Sequence, residues 1–281
     1  MDQPKLSYKL VPDWPHMAED RPMGHVPAVA VNSNDRIYAI SRAEKAIIVF
    51  NLDGKLLGSW GRGFFTNPHG LHIDSDDNVY IADADDHTVR KFSPEGYLRL
   101  TLGTEGAEGE EGKPFHRPTD VAVAPSGEIY VSDGYAGFRV HKFSAEGELL
   151  LSWGAKGTGP GEFAVPHSVS VGSDGRVWVA DRENHRIQIF SPDGEYITEW
   201  SGLDMPCTAY IGRDDLVYVP GLLRRFSIFD LERNLLLSWS EEEENLPAQF
   251  TGPHSVCTDS KGDLYIGNVF DGAHLYKFTR E

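Results

Sequence analysis

Six ungapped segments of thirteen residues recur along the chain, each a short apolar strand, a polar turn with Asp, Gly or Asn, and a second apolar strand. They read VAVNSNDRIYAIS from Val29, LHIDSDDNVYIAD from Leu71, VAVAPSGEIYVSD from Val121, VSVGSDGRVWVAD from Val169, AYIGRDDLVYVPG from Ala209 and VCTDSKGDLYIGN from Val256. Their starts lie 42, 50, 48, 40 and 47 residues apart. After four of them comes a third strand, as in TVRKFS, FRVHKFS, RIQIFS and HLYKFT, and a fourth follows a turn such as Pro-Glu-Gly or Pro-Asp-Gly. Four antiparallel strands in a repeat of about 40–50 residues make a propeller blade. The alternation of apolar and polar positions predicts half-buried strands, and no helical period competes with it. The expectation is an all-β, six-bladed β-propeller of four-stranded antiparallel blades, one domain over residues 1–281. The sixth unit ends at HLYKFTRE without a fourth strand, so SYKLV, residues 7 to 11, is expected to supply it and close the ring.

Composition narrows the partners. The net charge of −17 gives no broad positive field for nucleic acid or an anionic membrane, so an anionic substrate needs locally placed arginines. Two cysteines, Cys207 and Cys257, imply no disulfide framework. No apolar run is long enough for a membrane helix, and no basic-then-apolar leader opens the chain. A monomeric cytoplasmic protein is expected, or an exported one if a signal has been removed.

The second residue before each segment start is Pro27, His69, Thr119, His167, Cys207 and His254 in blades 1 to 6. Histidine thus occupies alternate blades, each time within Pro-His. The first strand of a blade lines the central channel, so equivalent positions form a ring with steps of about 60°. Alternate blades then present three imidazoles about 120° apart. That is a trigonal donor set for a divalent metal at about 2.0–2.1 Å, with one coordination position open, as in catalytic zinc. His72, His87, His116, His141, His185 and His274 follow no such rule and are expected to be ordinary structural residues, while His25 lies near the blade 1 channel entry.

Thirteen residues past each start stand Arg42, Ala84, Gly134, Arg182, Leu222 and Val269, a ring expected at one rim of the channel. Arg42 and Arg182 fall in blades 1 and 4 and so oppose each other, an arrangement suited to gripping a carboxylate. The competing expectation is that each pairs with a neighbouring acid, Glu44 or Glu183. Tyr135 follows Gly134. A tyrosine beside a divalent cation can have its pKa lowered and act as a base, and the alternative is an ordinary packing residue.

The repeats resemble the NHL family, with ADRENHRIQIF from Ala180 close to its typical sequence. Within it, PHGLHID, RPTDVAV, VSDGYAGFRV, VPHSVSV, VADRENHRIQIF and PHSVCTDSKGDLYIGN resemble the peptidyl-α-hydroxyglycine α-amidating lyases (peptidylamidoglycolate lyases). The resemblance implies zinc on His69, His167 and His254, with Tyr135 as the catalytic tyrosine and Arg42 and Arg182 as active-site arginines. It implies a carbon–nitrogen lyase that splits an α-hydroxyglycine amide into an amide and glyoxylate. It further implies calcium held by the main-chain oxygens of Val29 and Leu71 and by an aspartate directly after the third histidine. That position is Ser255 here. The family's paired cysteines are absent, and Gly252 stands where the family has a methionine. The substrate expected is a small molecule or peptide with an α-hydroxy acid end. Two other readings stand beside this one: a metal-dependent, lactonase-like hydrolase, and a non-catalytic NHL propeller that binds a protein partner.

Glu241 to Glu244 read as a solvated loop, and TLGTEGAEGEEGKP, residues 101 to 114, as a long flexible connection between blades 2 and 3. Cys207 occupies the channel ring without a paired base in view, which makes it a poor nucleophile.

Overall fold

The computed structural model describes residues 6–17, 23–109, 114–240, 246, 250–270 and 274–281. Six four-stranded antiparallel sheets form the blades of a propeller. Each thirteen-residue segment supplies half or more of an inner strand and all of the second strand. The third strands include Ala46–Phe50 in blade 1 and Arg225–Phe229 in blade 5, where the Lys-Phe signature is missing. The ring closes as the sequence predicts: Tyr8–Leu10 pairs with Leu275–Arg280, in the register Tyr8↔Arg280 to Leu10↔Phe278. The only regular helix among the described residues is a single 3-10 turn, Arg182–Asn184.

Half-buried strands were the expectation, but the second strands are buried along their whole length, as in Val79–Asp83 and Val177–Asp181. The physical reason is that blades stack on both faces of this strand, so its polar positions must find partners inside the fold. Among the strands, exposure is concentrated in the outer ones, such as Leu56–Trp60 and Leu149–Trp153. Apolar clusters fill the space between neighbouring blades. Ile40, Ile47, Leu71, Val79 and Ile81 join blades 1 and 2, and Met23, Val26, Val29, Ile37 and Tyr265 join blades 6 and 1. The core is therefore a ring of six interfaces, with the channel down its axis.

Residues 101–103, expected in a flexible connection, continue the outer strand Leu98–Gly103. The alternation of YLRLTLG, which pairs with Thr88–Phe92, prevails over the glycine-rich composition that follows it. Glu241 to Glu244 lie outside the described residues.

Candidate metal centre and active site

The three histidine-bearing inner strands begin earlier than the others, at Pro68, Pro166 and Pro253. In each, the ladder slips at the histidine: between Pro68 and Gly70, Pro166 and Ser168, and Pro253 and Ser255. A bulge of this kind re-aims a side chain out of the regular alternation. Proline at a strand's first position gives up no needed ladder bond. The Pro-His pair is thus the local code for turning an imidazole towards the axis. The inner strands of blades 1, 3 and 5 carry no such slip.

The three imidazoles meet in a nearly equilateral triangle, with ring centroids 4.7, 4.8 and 5.0 Å apart. Their ligand atoms all lie within 4.8 Å of one another. Each Nδ1 contacts a main-chain oxygen of the next blade: His69 on Thr119 at 2.6 Å, His167 on Cys207 at 2.7 Å and His254 on Pro27 at 2.7 Å. A carbonyl oxygen only accepts, so each Nδ1 carries the proton and donates it, leaving every Nε2 unprotonated and able to accept. The other three members of the channel ring, Pro27, Thr119 and Cys207, therefore orient the ligands. Outer partners of this kind fix the tautomer and raise ligand basicity. The His167 Nε2 atom is buried without a hydrogen-bond partner. An orphaned acceptor costs roughly 1–3 kcal/mol unless something binds it. Burial, chiefly, holds His69 and His167 well below the usual imidazole value and pushes His254 down to about 3. Three neutral, preoriented imidazoles fit a divalent metal.

The second ring is displaced by one residue in blade 3. In five blades the N–H of the predicted rim residue donates to a carbonyl four residues before the segment start, as in Arg42 to His25, Arg182 to Val165 and Val269 to Gly252. In blade 3 the donor to Arg117 is Tyr135, not Gly134. A Cβ on Gly134 would run into the Pro166 carbonyl and lie 2.6 Å from Thr119 Oγ1, so only glycine fits that space. The extra residue is absorbed there, and Tyr135 takes the register of the two arginines. Its hydroxyl donates to His69 Nε2 at 2.7 Å.

Arg42, Arg182 and Tyr135 form one group. Burial raises the Tyr135 pKa, and the positive charges of Arg182 and Arg42 pull against that rise. The Arg182 guanidinium carbon lies 5.9 Å from the Tyr135 ring centroid. Arg182 does pair with Glu183, whose Oε1 lies 3.0 Å from Nε and Nη2. Glu44, in contrast, pairs with Arg62 at 3.1 Å. Burial depresses the Arg42 pKa, and its Nε is enclosed without a hydrogen-bond partner. Sequence reasoning missed Arg117, whose guanidinium lies 5.3 Å from the Tyr135 ring centroid and is fixed by Asp85 at 2.7 Å. Its position, four residues before the segment start, was a signal once the rings were aligned.

Beyond the histidines the channel opens into a cavity of about 220 Å³, lined in part by Val29, Leu71, Asp120 and Ser255. The Ser255 hydroxyl is buried without a partner. Two main-chain oxygens and a neutral hydroxyl fall short of the oxygen-rich, carboxylate-bearing shell calcium takes, so the residues here do not fit that ion. The carboxylate in this layer belongs to Asp120, across the ring in blade 3. The two cysteines are free and buried. His141 packs internally on Ser152 and Asp133, in keeping with its structural assignment.

The NHL repeat profile matches residues 65–92, 115–143 and 163–190. A 260-residue match to the mouse peptidyl-glycine α-amidating monooxygenase is 35% identical and covers 84% of this chain and 26% of that protein. The Drosophila melanogaster peptidyl-α-hydroxyglycine α-amidating lyase 1 is 33% identical over 80% of this chain and 47% of its own length. The human NHL repeat-containing protein 3 is 39% identical over 70% of this chain and 60% of its own. The chain thus spans between about a quarter and three fifths of these relatives. A streptogramin B lyase structure superposes with a TM-score of 0.68 at 11% identity, covering 98% of this chain and 97% of that one, which bears on the fold alone. The chain is an NHL-repeat propeller that resembles the peptidyl-α-hydroxyglycine α-amidating lyases.

Proposed function

We propose that this protein is a zinc-dependent lyase that cleaves the carbon–nitrogen bond of an α-hydroxyglycine-type amide, releasing an amide and glyoxylate. The observation that carries the reading is the convergence of three neutral, preoriented imidazoles with Tyr135 and two arginines at one mouth of the channel. The likeness to lyases of this activity supports it. His69, His167 and His254 would hold a divalent ion, which when bound would supply Lewis acidity towards the substrate's α-hydroxyl.

Arg42 and Arg182 hold the carboxylate that leaves within glyoxylate, Arg42 through a guanidinium with a free Nε and Arg182 while still paired to Glu183. Their charge favours the tyrosinate form of Tyr135. Tyr135 then takes the hydroxyl proton as the carbon–nitrogen bond breaks and returns it to the departing amide nitrogen, so protons balance. Positioning and charge placement supply most of the rate.

The test is elemental analysis of wild type and His167→Ala, both purified without added metal, followed by a glyoxylate-release assay. About one zinc per wild-type chain is expected from a single three-histidine site, with most of it lost in the variant. Wild type that takes up no metal even after incubation with zinc would overturn the proposal.

A further inference from the structure

The rim around the metal centre is divided. Its hydrogen-bonded register places Arg42, Tyr135 and Arg182 in blades 1, 3 and 4, and Leu222 and Val269 in blades 5 and 6. The next residues are Ala43, Asp85, Ala136 and Glu183 in blades 1 to 4, but Leu223 and Phe270 in blades 5 and 6, so the large apolar side chains gather on one side. Four consecutive rim positions on one arc are therefore apolar, and Val269 stands across the axis from Tyr135. Leu223 and Phe270 are 56% and 42% exposed. Most of the other exposed large hydrophobic residues lie on or beside outer strands, such as Leu98, Leu150 and Leu235. Phe64 packs on Phe65 and Phe92.

Phe270 is held by a specific accommodation. A Cβ on Gly252 would lie 2.7 Å from Phe270 Cδ2 and 2.9 Å from Cγ. Gly252 has no left-handed backbone angle, so the close approach of the ring, not backbone freedom, is what excludes a side chain there. The ring thus lies over bare main chain two residues before His254.

Resting on the lyase reading above, we infer that Leu223 and Phe270 form an apolar subsite for the acyl group on the amide nitrogen and set a preference for aromatic or branched aliphatic acyl groups over small or charged ones. The reacting carbon carries a carboxylate, a hydroxyl and the amide nitrogen. With the carboxylate on the arginines and the hydroxyl at Tyr135 and the metal centre, the N-acyl group is left to the remaining arc. The four rim positions themselves carry no charge and Arg224, which follows Leu223, already has an interaction of its own, so an apolar acyl group is favoured over a charged one there.

The experiment compares N-benzoyl- and N-acetyl-α-hydroxyglycine on zinc-loaded wild type, Phe270→Ala and Gly252→Ala. Wild type should prefer the benzoyl compound, and the benzoyl-to-acetyl ratio of kcat/KM should fall about tenfold in Phe270→Ala, mostly through KM. Gly252→Ala should lower the same ratio by displacing the ring. Equal turnover of both compounds by wild type, or an unchanged ratio in Phe270→Ala, overturns the subsite and leaves the lyase reading intact. Metal-loaded protein that releases no glyoxylate from either compound overturns the lyase reading instead. Calorimetry with the unreactive N-benzoylglycine and N-acetylglycine then decides the subsite. Tighter benzoyl binding that Phe270→Ala abolishes supports it, and equal binding overturns it.

Discussion

Tyr135 and Asp120, both of blade 3, meet burial in different surroundings. Tyr135 is a phenol whose burial resists ionisation while two guanidiniums favour it. Tyr135→Phe keeps the ring and loses the proton acceptor, so turnover should fall by roughly 10²–10⁴-fold while metal content stays at the wild-type level. Parallel measurement of kcat and bound zinc checks this; loss of zinc would make the hydroxyl a holder of the site rather than its base. Asp120 still touches the channel, yet its carboxyl is enclosed by packing, which pushes its pKa up from 3.8 to about 7. A folded-state value above the unfolded one means that its contribution to stability is fully present below pH 3.8 and is lost as pH rises through about 7. Asp120→Asn retains an oxygen acceptor for the Val169 N–H, now 3.3 Å from Oδ2. The variant's thermal midpoint should gain on wild type between pH 5 and pH 8, by on the order of 2–4 °C. A constant difference across that range would mean that the carboxyl does not titrate there.

At the scale of elements, the closing strand is the most exposed to test. Leu6, Tyr8 and Leu10 pack on the cluster between blades 5 and 6, and among the described residues the strand Tyr8–Leu10 pairs with Leu275–Arg280 alone. Removing residues 1–11 withdraws these three side chains together with Val11, which packs between blades 6 and 1, and leaves an unpaired edge. A loss of roughly 3–5 kcal/mol and concentration-dependent aggregation are expected, read by denaturant unfolding and light scattering. This strand was legible in the sequence because the sixth repeat was visibly short by one. The blades were legible because turn and strand chemistry repeat without gaps, and the histidines because equivalent positions in a ring carry geometric meaning. What escaped was whatever departs from the repeat. The bulges at the histidines cannot be seen in a register built by counting residues. The one-residue slip that lifts Tyr135 into the arginine ring depends on a clash between Gly134 and the next blade. Burial of the second strands on both faces depends on blade stacking, which no single segment encodes.

Across the whole molecule, the hydrogen bonds from His69 to Thr119, His167 to Cys207 and His254 to Pro27 each cross from one blade to the next. The last of them bridges the seam where the chain's first and last blades meet, beside the Val26 to Asn268 bond. A bound ion would therefore act as a hub whose three spokes span alternate seams of the hoop. Any breathing that widens one seam turns a ligand away from the centre, and any ion gripped at the centre resists that widening. Retention of the ion under a chelator is then a gauge of how tightly the hoop is shut, readable at a point far from the termini that shut it.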